Sequence, residues 1–159
     1  MQSMFIIYPF GVHMGKCCCG FGHRTVLEPL DDRVRAAVFD AAENGFEIFY
    51  TGAMGDFDRI FSSAVREVKK KYPAIKLICV KPYFSNEINT NAAYYAAFYD
   101  DILIPSELIG VHFKAAITAR NRWMIDHSDL AVIYCTQDFG GANDALKYAE
   151  RKEKAIIRV

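Results

Sequence analysis

Short apolar runs alternate with longer amphipathic ones along the chain from Lys16 onwards. Lys16–Phe21 predicts a first strand, closed by Gly22. Asp31 or Asp32 can cap a helix running to about Asn44, with Val34, Val38 and Ala41/Ala42 on one side and Gly45 as its stop. Phe46–Tyr50 is aromatic and β-branched and predicts a strand, broken by Thr51-Gly52. Ile60, Phe61, Ala64, Val65 and Val68 recur at helical spacing within a predicted helix from Phe57 to Lys71. Its basic end, Lys69–Lys71, suits the negative end of the helix dipole, and Pro73 stops it. Ile75–Val80 is the next strand. Asn89–Tyr99, rich in Ala and Tyr, predicts a helix, and Ile102–Ile104 a short strand closed by Pro105. A helix over Phe113–His127 carries Phe113, Ile117 and Met124 on its buried stripe. Leu130–Cys135 is a strand, Ala142–Arg151 a helix opened by Gly140-Gly141, and Ala155–Val159 the last strand.

Strands alternating with helices point to βαβ units. The strands are near-continuous apolar runs, as in sheets covered on both faces. The expected fold class is therefore α/β, a Rossmann-like three-layer sandwich with a mostly parallel central sheet. The length of 159 residues fits one domain, placed at 14–159, and residues 1–13 read as an extension outside it. An added edge strand at Met4–Tyr8 is the alternative.

Charge and composition narrow the partners. Lys plus Arg is 19 and Asp plus Glu is 19, a zero balance without the basic footprint of duplex binders, so a nucleic-acid partner is expected to be unlikely. A hydrophobic content of 52% fits a buried sheet or an oligomer interface. No stretch reaches the ~18 apolar residues of a membrane span, and no membrane partner is expected. Cys17, Cys18 and Cys19 are consecutive, and neighbours on a strand point to opposite faces, so local disulfides are disfavoured. With Cys79 and Cys135 they read as small buried hydrophobes of a reducing cytoplasm. No spaced C-x₂-C pair suggests a metal, and no cofactor is required.

Chemistry is expected in the loops that follow the strands, because open parallel sheets bind ligands outside their carboxyl ends. Gly22-His23-Arg24 follows the first strand and Thr51-Gly52-Ala53-Met54-Gly55-Asp56-Phe57-Asp58 the second. Lys81-Pro82-Tyr83 and Phe139-Gly140-Gly141-Ala142-Asn143 follow two others. Glycine lets a phosphate approach the backbone, and a helix N-terminus offers unpaired N–H groups and a positive dipole end. Arg24 can add a forked contact, and Tyr83 a surface for a base. Asp56 is placed to cap the second helix, and Asp58, further in, to accept ribose hydroxyls. Arg120 and Asn121 lie near a buried stripe and need partners, from a ligand or from neighbouring carbonyls or carboxylates. Arg120→Ala is expected to abolish nucleotide binding and leave the fold intact. Arg122 and Asp126 can pair at i, i+4. His23 is the best-placed histidine. GFGHRT lacks the third glycine of a dinucleotide fingerprint.

The segments CCCGFGHR, FYTGAMGDFD, AVREVKKKYPAIKLICVKPY, RNRWMIDHSDLAVIYC and GGANDALKYAERKEKAIIRV resemble, in that order, the YpsA-like branch of the SLOG superfamily. That superfamily also holds the LOG phosphoribohydrolases and the DNA-processing protein DprA. The resemblance covers nearly all of Lys16–Val159 and is most specific at Arg120–Asp129. It implies a Rossmann-like fold, a nucleotide-derived ligand such as ADP-ribose, NAD or a nucleoside phosphate, and often a homo-oligomer. The implied contacts are Gly22, His23, Arg24, Thr51, Gly52, Asp58, Arg120, Asn121, Gly140 and Gly141, with Gly55 in the same second loop. Three places depart from the family pattern: Gly20-Phe21 before the G-H-R, Ala53 after Gly52, and Ala142 where a threonine is usual. The phosphoribohydrolase signature P-G-G-x-G-T-x-x-E is missing. Binding or sensing of a nucleotide is thus the first expectation. N-glycosidic hydrolysis of nucleoside 5'-monophosphates is the alternative, with Asp58, Asp126 and Asp144 as candidate carboxylates.

Overall fold

Each strand expected from an apolar run pairs into one sheet. In the computed structural model, which describes residues 15–159, the strands are β1 (Lys16–Phe21), β2 (Phe46–Thr51), β3 (Lys76–Val80), β4 (Asp101–Leu103), β5 (Leu130–Ile133) and β6 (Ala155–Arg158). All pairings are parallel, in the order β4-β3-β2-β1-β5-β6. The helices are α1 (Asp31–Glu43), α2 (Asp56–Lys69), α3 (Asn86–Thr90), α4 (Ala92–Phe98), α5 (Phe113–Asp126) and α6 (Gly141–Arg151), with a 3-10 turn at Ser106–Leu108. The extension and the strand at Met4–Tyr8 fall outside the described residues.

Parallel neighbours need crossovers, and right-handed crossovers choose the faces. The chain steps outward from β1 to β4, so α1 and α2 cover one face. It then returns to the far side of β1 for β5 and β6, so α5 and α6 cover the other. The cysteine run shows the alternation directly. Cys18 packs with Val34, Val38 and Phe61 of α1 and α2, whereas Cys17 and Cys19 face Met124, Ile125 and Ala149 of α5 and α6. Burial pushes the Cys19 thiol up to about 12, so it stays neutral and packs as a small hydrophobe. All five cysteines are free, and Cys135 is half-buried rather than buried.

The strand order reverses direction between β1 and β5, which opens a crevice at their carboxyl ends. The amino ends are tied instead. The Asp129 backbone N–H donates to the Cys17 carbonyl (2.7 Å), and its carboxylate accepts the Cys17 N–H (2.9 Å). Asp129 is therefore a clasp between β1 and β5 and more than a turn residue. Asp129→Ala is expected to lower unfolding free energy by about 1.5 to 3 kcal/mol, the range for a hydrogen bond to a charged group, read from the urea midpoint.

Three expectations are corrected here. The predicted helix over Asn89–Tyr99 divides into α3 and α4 at Asn91, where only Ile88 and Tyr95 of the two short helices are buried. The stripe of α5 is turned from its expected position: Ala116, Arg120, Met124 and Ile125 are buried, while Phe113 is 67% exposed and Ile117 is half-buried. Arg122 lies over the Tyr148 ring, and Asp126 meets Lys152 and the Tyr148 hydroxyl, so the i, i+4 pair does not form.

Candidate functional site

The end of β1 and the loops after β1 and β2 meet α2, α5 and the start of α6 around a cleft of about 340 Å³. Of the residues expected at a ligand, Gly22, His23, Arg24, Gly52, Asp58, Arg120, Asn121 and Gly141 line it. Thr51, Gly55 and Gly140 do not line it. Thr51 is wholly buried beneath the loop, where its Oγ1 accepts the Ala53 N–H (3.3 Å) and sits 3.4 Å from Ser62 Oγ.

Most of the glycines expected to admit a phosphate make room for protein groups. A Cβ on Gly22 would stand 2.2 Å from the Phe57 ring, so Gly22 lets α2 press onto the end of β1. A Cβ on Gly52 would stand 2.8 Å from the Arg120 guanidinium carbon. Gly55 has a φ of 89° and lies against the Arg24 backbone. Gly140, with a φ of 86°, and Gly141 differ: a Cβ on either would meet nothing within 4 Å.

The two helix N-termini divide in the same way. At α2 the first amides are already used, Asp56 N–H donating to the Arg24 carbonyl (2.8 Å) and Phe57 N–H to that of His23 (3.3 Å). Asp56 does not cap this helix as expected. It is the first helical residue, and its carboxylate accepts the Val26 N–H (3.0 Å) from the β1 loop. The α2 terminus is therefore closed by protein. At α6 no backbone acceptor among the described residues meets the Gly141 and Ala142 amides, and no side chain caps them. Asn143, buried, donates to the Asp138 carbonyl (2.8 Å) and pins the loop ahead of them. This positive helix end opens into the cleft.

Arg120 is 2% exposed. Its Nη1 donates to the carbonyls of Gly52 (3.1 Å) and Val80 (2.9 Å), and its Nε to Asn121 Oδ1 (2.9 Å). The neighbouring-carbonyl alternative thus accounts for much of its donor capacity. Asp58 is its counterpart across the cleft. One carboxylate oxygen accepts the Met54 N–H (2.8 Å). Burial pushes its pKa up to about 6, against the pull of that N–H, Arg120 and Arg24. His23 Nε2 accepts the Thr136 N–H (2.9 Å), which assigns its proton to Nδ1. Thr136 and Met54 escaped the sequence reading. Thr136 lies just past the expected strand end, where a polar residue was a usable signal. Met54 matters only through its neighbours, which no local pattern shows. Among the described residues no three His, Cys, Asp or Glu side chains gather as a metal would need, and no helix is long and apolar enough to cross a membrane.

Strand order and cleft together define a doubly wound, Rossmann-like domain with its site at the switch in strand order. No protein-family profile matches the chain. It is 23% identical over 137 residues to a UPF0398 protein of Ligilactobacillus salivarius (strain UCC118), a match covering 80% of this chain and 75% of that one. Its fold is similar to that of DNA processing protein A from Helicobacter pylori (TM-score 0.63, 17% identity, 90% of this chain). DNA processing protein A from Streptococcus pneumoniae is similar to the same degree (TM-score 0.62, 13% identity, 90% of this chain). The chain spans 64% and 50% of those two proteins. These likenesses agree with the Rossmann-like fold that the SLOG resemblance implied.

One expectation falls with this. The Helicobacter pylori protein was studied for its single-stranded DNA binding mode, so this fold carries nucleic acid in at least one neighbour. Zero net charge was the ground for calling a nucleic-acid partner unlikely. That ground fails because net charge averages over the surface, and a single-strand site needs only a local one.

Proposed function

We propose that the cleft binds the phosphate of a nucleotide-type ligand. The observation that carries this reading is the open N-terminus of α6 in the same cleft as Arg24. Two uncompensated backbone donors, a helix dipole and an exposed guanidinium suit an anion. Arg24 forms no ion pair among the described residues. Asp58 lies where ribose hydroxyls could donate to it. The DprA likeness adds that the nucleotide can belong to a single strand as well as to a free molecule.

Thermal shift against AMP, ADP, ATP, ADP-ribose, NAD and nucleoside monophosphates tests this. A ligand at ~100 times its dissociation constant should add about 2.7 kcal/mol. Arg24→Ala is expected to weaken binding at least tenfold while moving the unliganded midpoint little, since its guanidinium forms no ion pair among the described residues and its charge helps Asp58 while opposing Arg120. Equal affinity in the variant would remove the phosphate from this cleft. Base release is the second reading, and one observation favours it: of the three candidate carboxylates only Asp58 lines the cleft, with a pKa raised towards neutrality, as suits a general acid. Free base appearing from a bound monophosphate would select it; stabilisation without turnover supports binding alone.

A further inference from the structure

A second cleft, of about 580 Å³, opens directly off the first. The two share Gly52, Met54, Ile117 and Arg120 as a common wall. Beyond that wall the lining changes character. Tyr83 and Tyr94 line it and are 51% and 54% exposed. Lys81 also lines it, with Nζ 5.0 Å from the Tyr95 ring centre. The Tyr95 hydroxyl donates to Glu87 (2.7 Å), which fixes that ring as part of the wall. Tyr83 follows β3 directly, so this aromatic surface sits at the same strand-end level as the anion-suited cleft. Half-exposed aromatic rings in a cleft that also holds a cation are what a nucleobase stacks upon.

We propose that the ligand consists of two nucleoside units joined through phosphate. One unit lies in the α6-side cleft, and the second stacks its base against Tyr83 and Tyr94. This rests on the nucleotide reading above and specifies it. The shared chemistry has two sources, a free dinucleotide or two successive residues of a single strand.

Calorimetric titration of the full chain separates them. The probes are AMP and TMP as single units, NAD as the free two-unit ligand, ADP-ribose as its counterpart lacking the second base, and a short oligo-dT as the strand. At least one two-unit ligand is expected to bind ten or more times more tightly than its single unit. Tyr83→Ala should remove most of that advantage and leave the single unit within twofold, and Tyr83→Phe should restore it. Tyr94→Ala should act like Tyr83→Ala. Preference for NAD over ADP-ribose identifies a free dinucleotide, and preference for oligo-dT a strand; either supports the proposal, whereas ADP-ribose binding as tightly as the best two-unit ligand overturns it. Equal affinity for one and two units, or Tyr83→Ala weakening both alike, overturns it while the nucleotide reading stands. No binding by any probe overturns both.

Discussion

Arg120→Ala is expected to lower the unfolding free energy by about 3 to 5 kcal/mol, the range for stripping one partner from a buried charged network. The guanidinium is the tie between three elements. It starts on α5, reaches the carbonyl at the end of β3 (Val80) and the loop after β2 (Gly52), and its Nη2 approaches Met54 Sδ at 3.4 Å. Alanine would leave two buried carbonyls without donors, each at a cost of about 1 to 3 kcal/mol. It would also take a cation from beside Asp58, whose charged form already suffers from burial. Arg120→Lys is expected to recover only part, because one ammonium cannot reproduce the planar fork. Urea denaturation of the three proteins checks this, and an alanine variant as stable as wild type would refute the clamp. The expectation that Arg120→Ala would abolish binding and spare the fold changes accordingly. Lost binding in that variant would follow from loosened loops as readily as from a lost contact, which is why Arg24 carries the binding test.

The same residue shows what the sequence could convey. Periodicity located α5 within one residue, yet it assigns Phe113 and Ile117 to a buried stripe that in the structure runs through Ala116, Arg120 and Met124. The sheet, however, offers that face a cluster of backbone carbonyls. A guanidinium satisfies them and a phenyl ring cannot, so Arg120 goes in and Phe113 stays out. β1 was legible to the residue because a strand buried on both faces has an unbroken apolar run. The split at Asn91 was not, since a run of Ala and Tyr has helical propensity throughout and only the packing of Ile88 and Tyr95 decides the break. For the site, most of the loop residues singled out from sequence lie together at one cleft, but sequence could not tell an open helix end from a closed one. The closure of α2 depends on the carbonyls of His23 and Arg24, some thirty positions away in the chain. Glycine has the same ambiguity. Nothing local separates Gly22, which admits Phe57, from Gly141, which faces open space.

Asp58→Asn is expected to stabilise the protein at neutral pH and to do nothing of the kind in acid. The Asp58 pKa lies near 6 in the folded protein, against an ordinary value of 3.8, and burial is the main cause. A raised pKa means that the folded state holds the proton more tightly than the unfolded chain. Below about pH 4 both states are protonated, and the carboxyl costs nothing through ionisation. Between about pH 4 and pH 6 the unfolded chain ionises first, and stability falls. Above pH 6 both are ionised and the penalty is complete, about 2 to 3 kcal/mol, since each tenfold difference in proton affinity is worth about 1.4 kcal/mol. Asparagine does not titrate, and its Oδ1 can still accept the Met54 N–H. The variant-minus-wild-type difference should therefore rise by that amount between pH 3.5 and pH 7.5, and a flat difference would mean that the carboxylate is not desolvated. A buried group that costs stability at neutral pH is a candidate for a role in binding. The same variant should then lose affinity for a ribose-bearing ligand as it gains stability. A gain in stability with affinity unchanged would leave Asp58 facing the cleft without touching what the cleft holds.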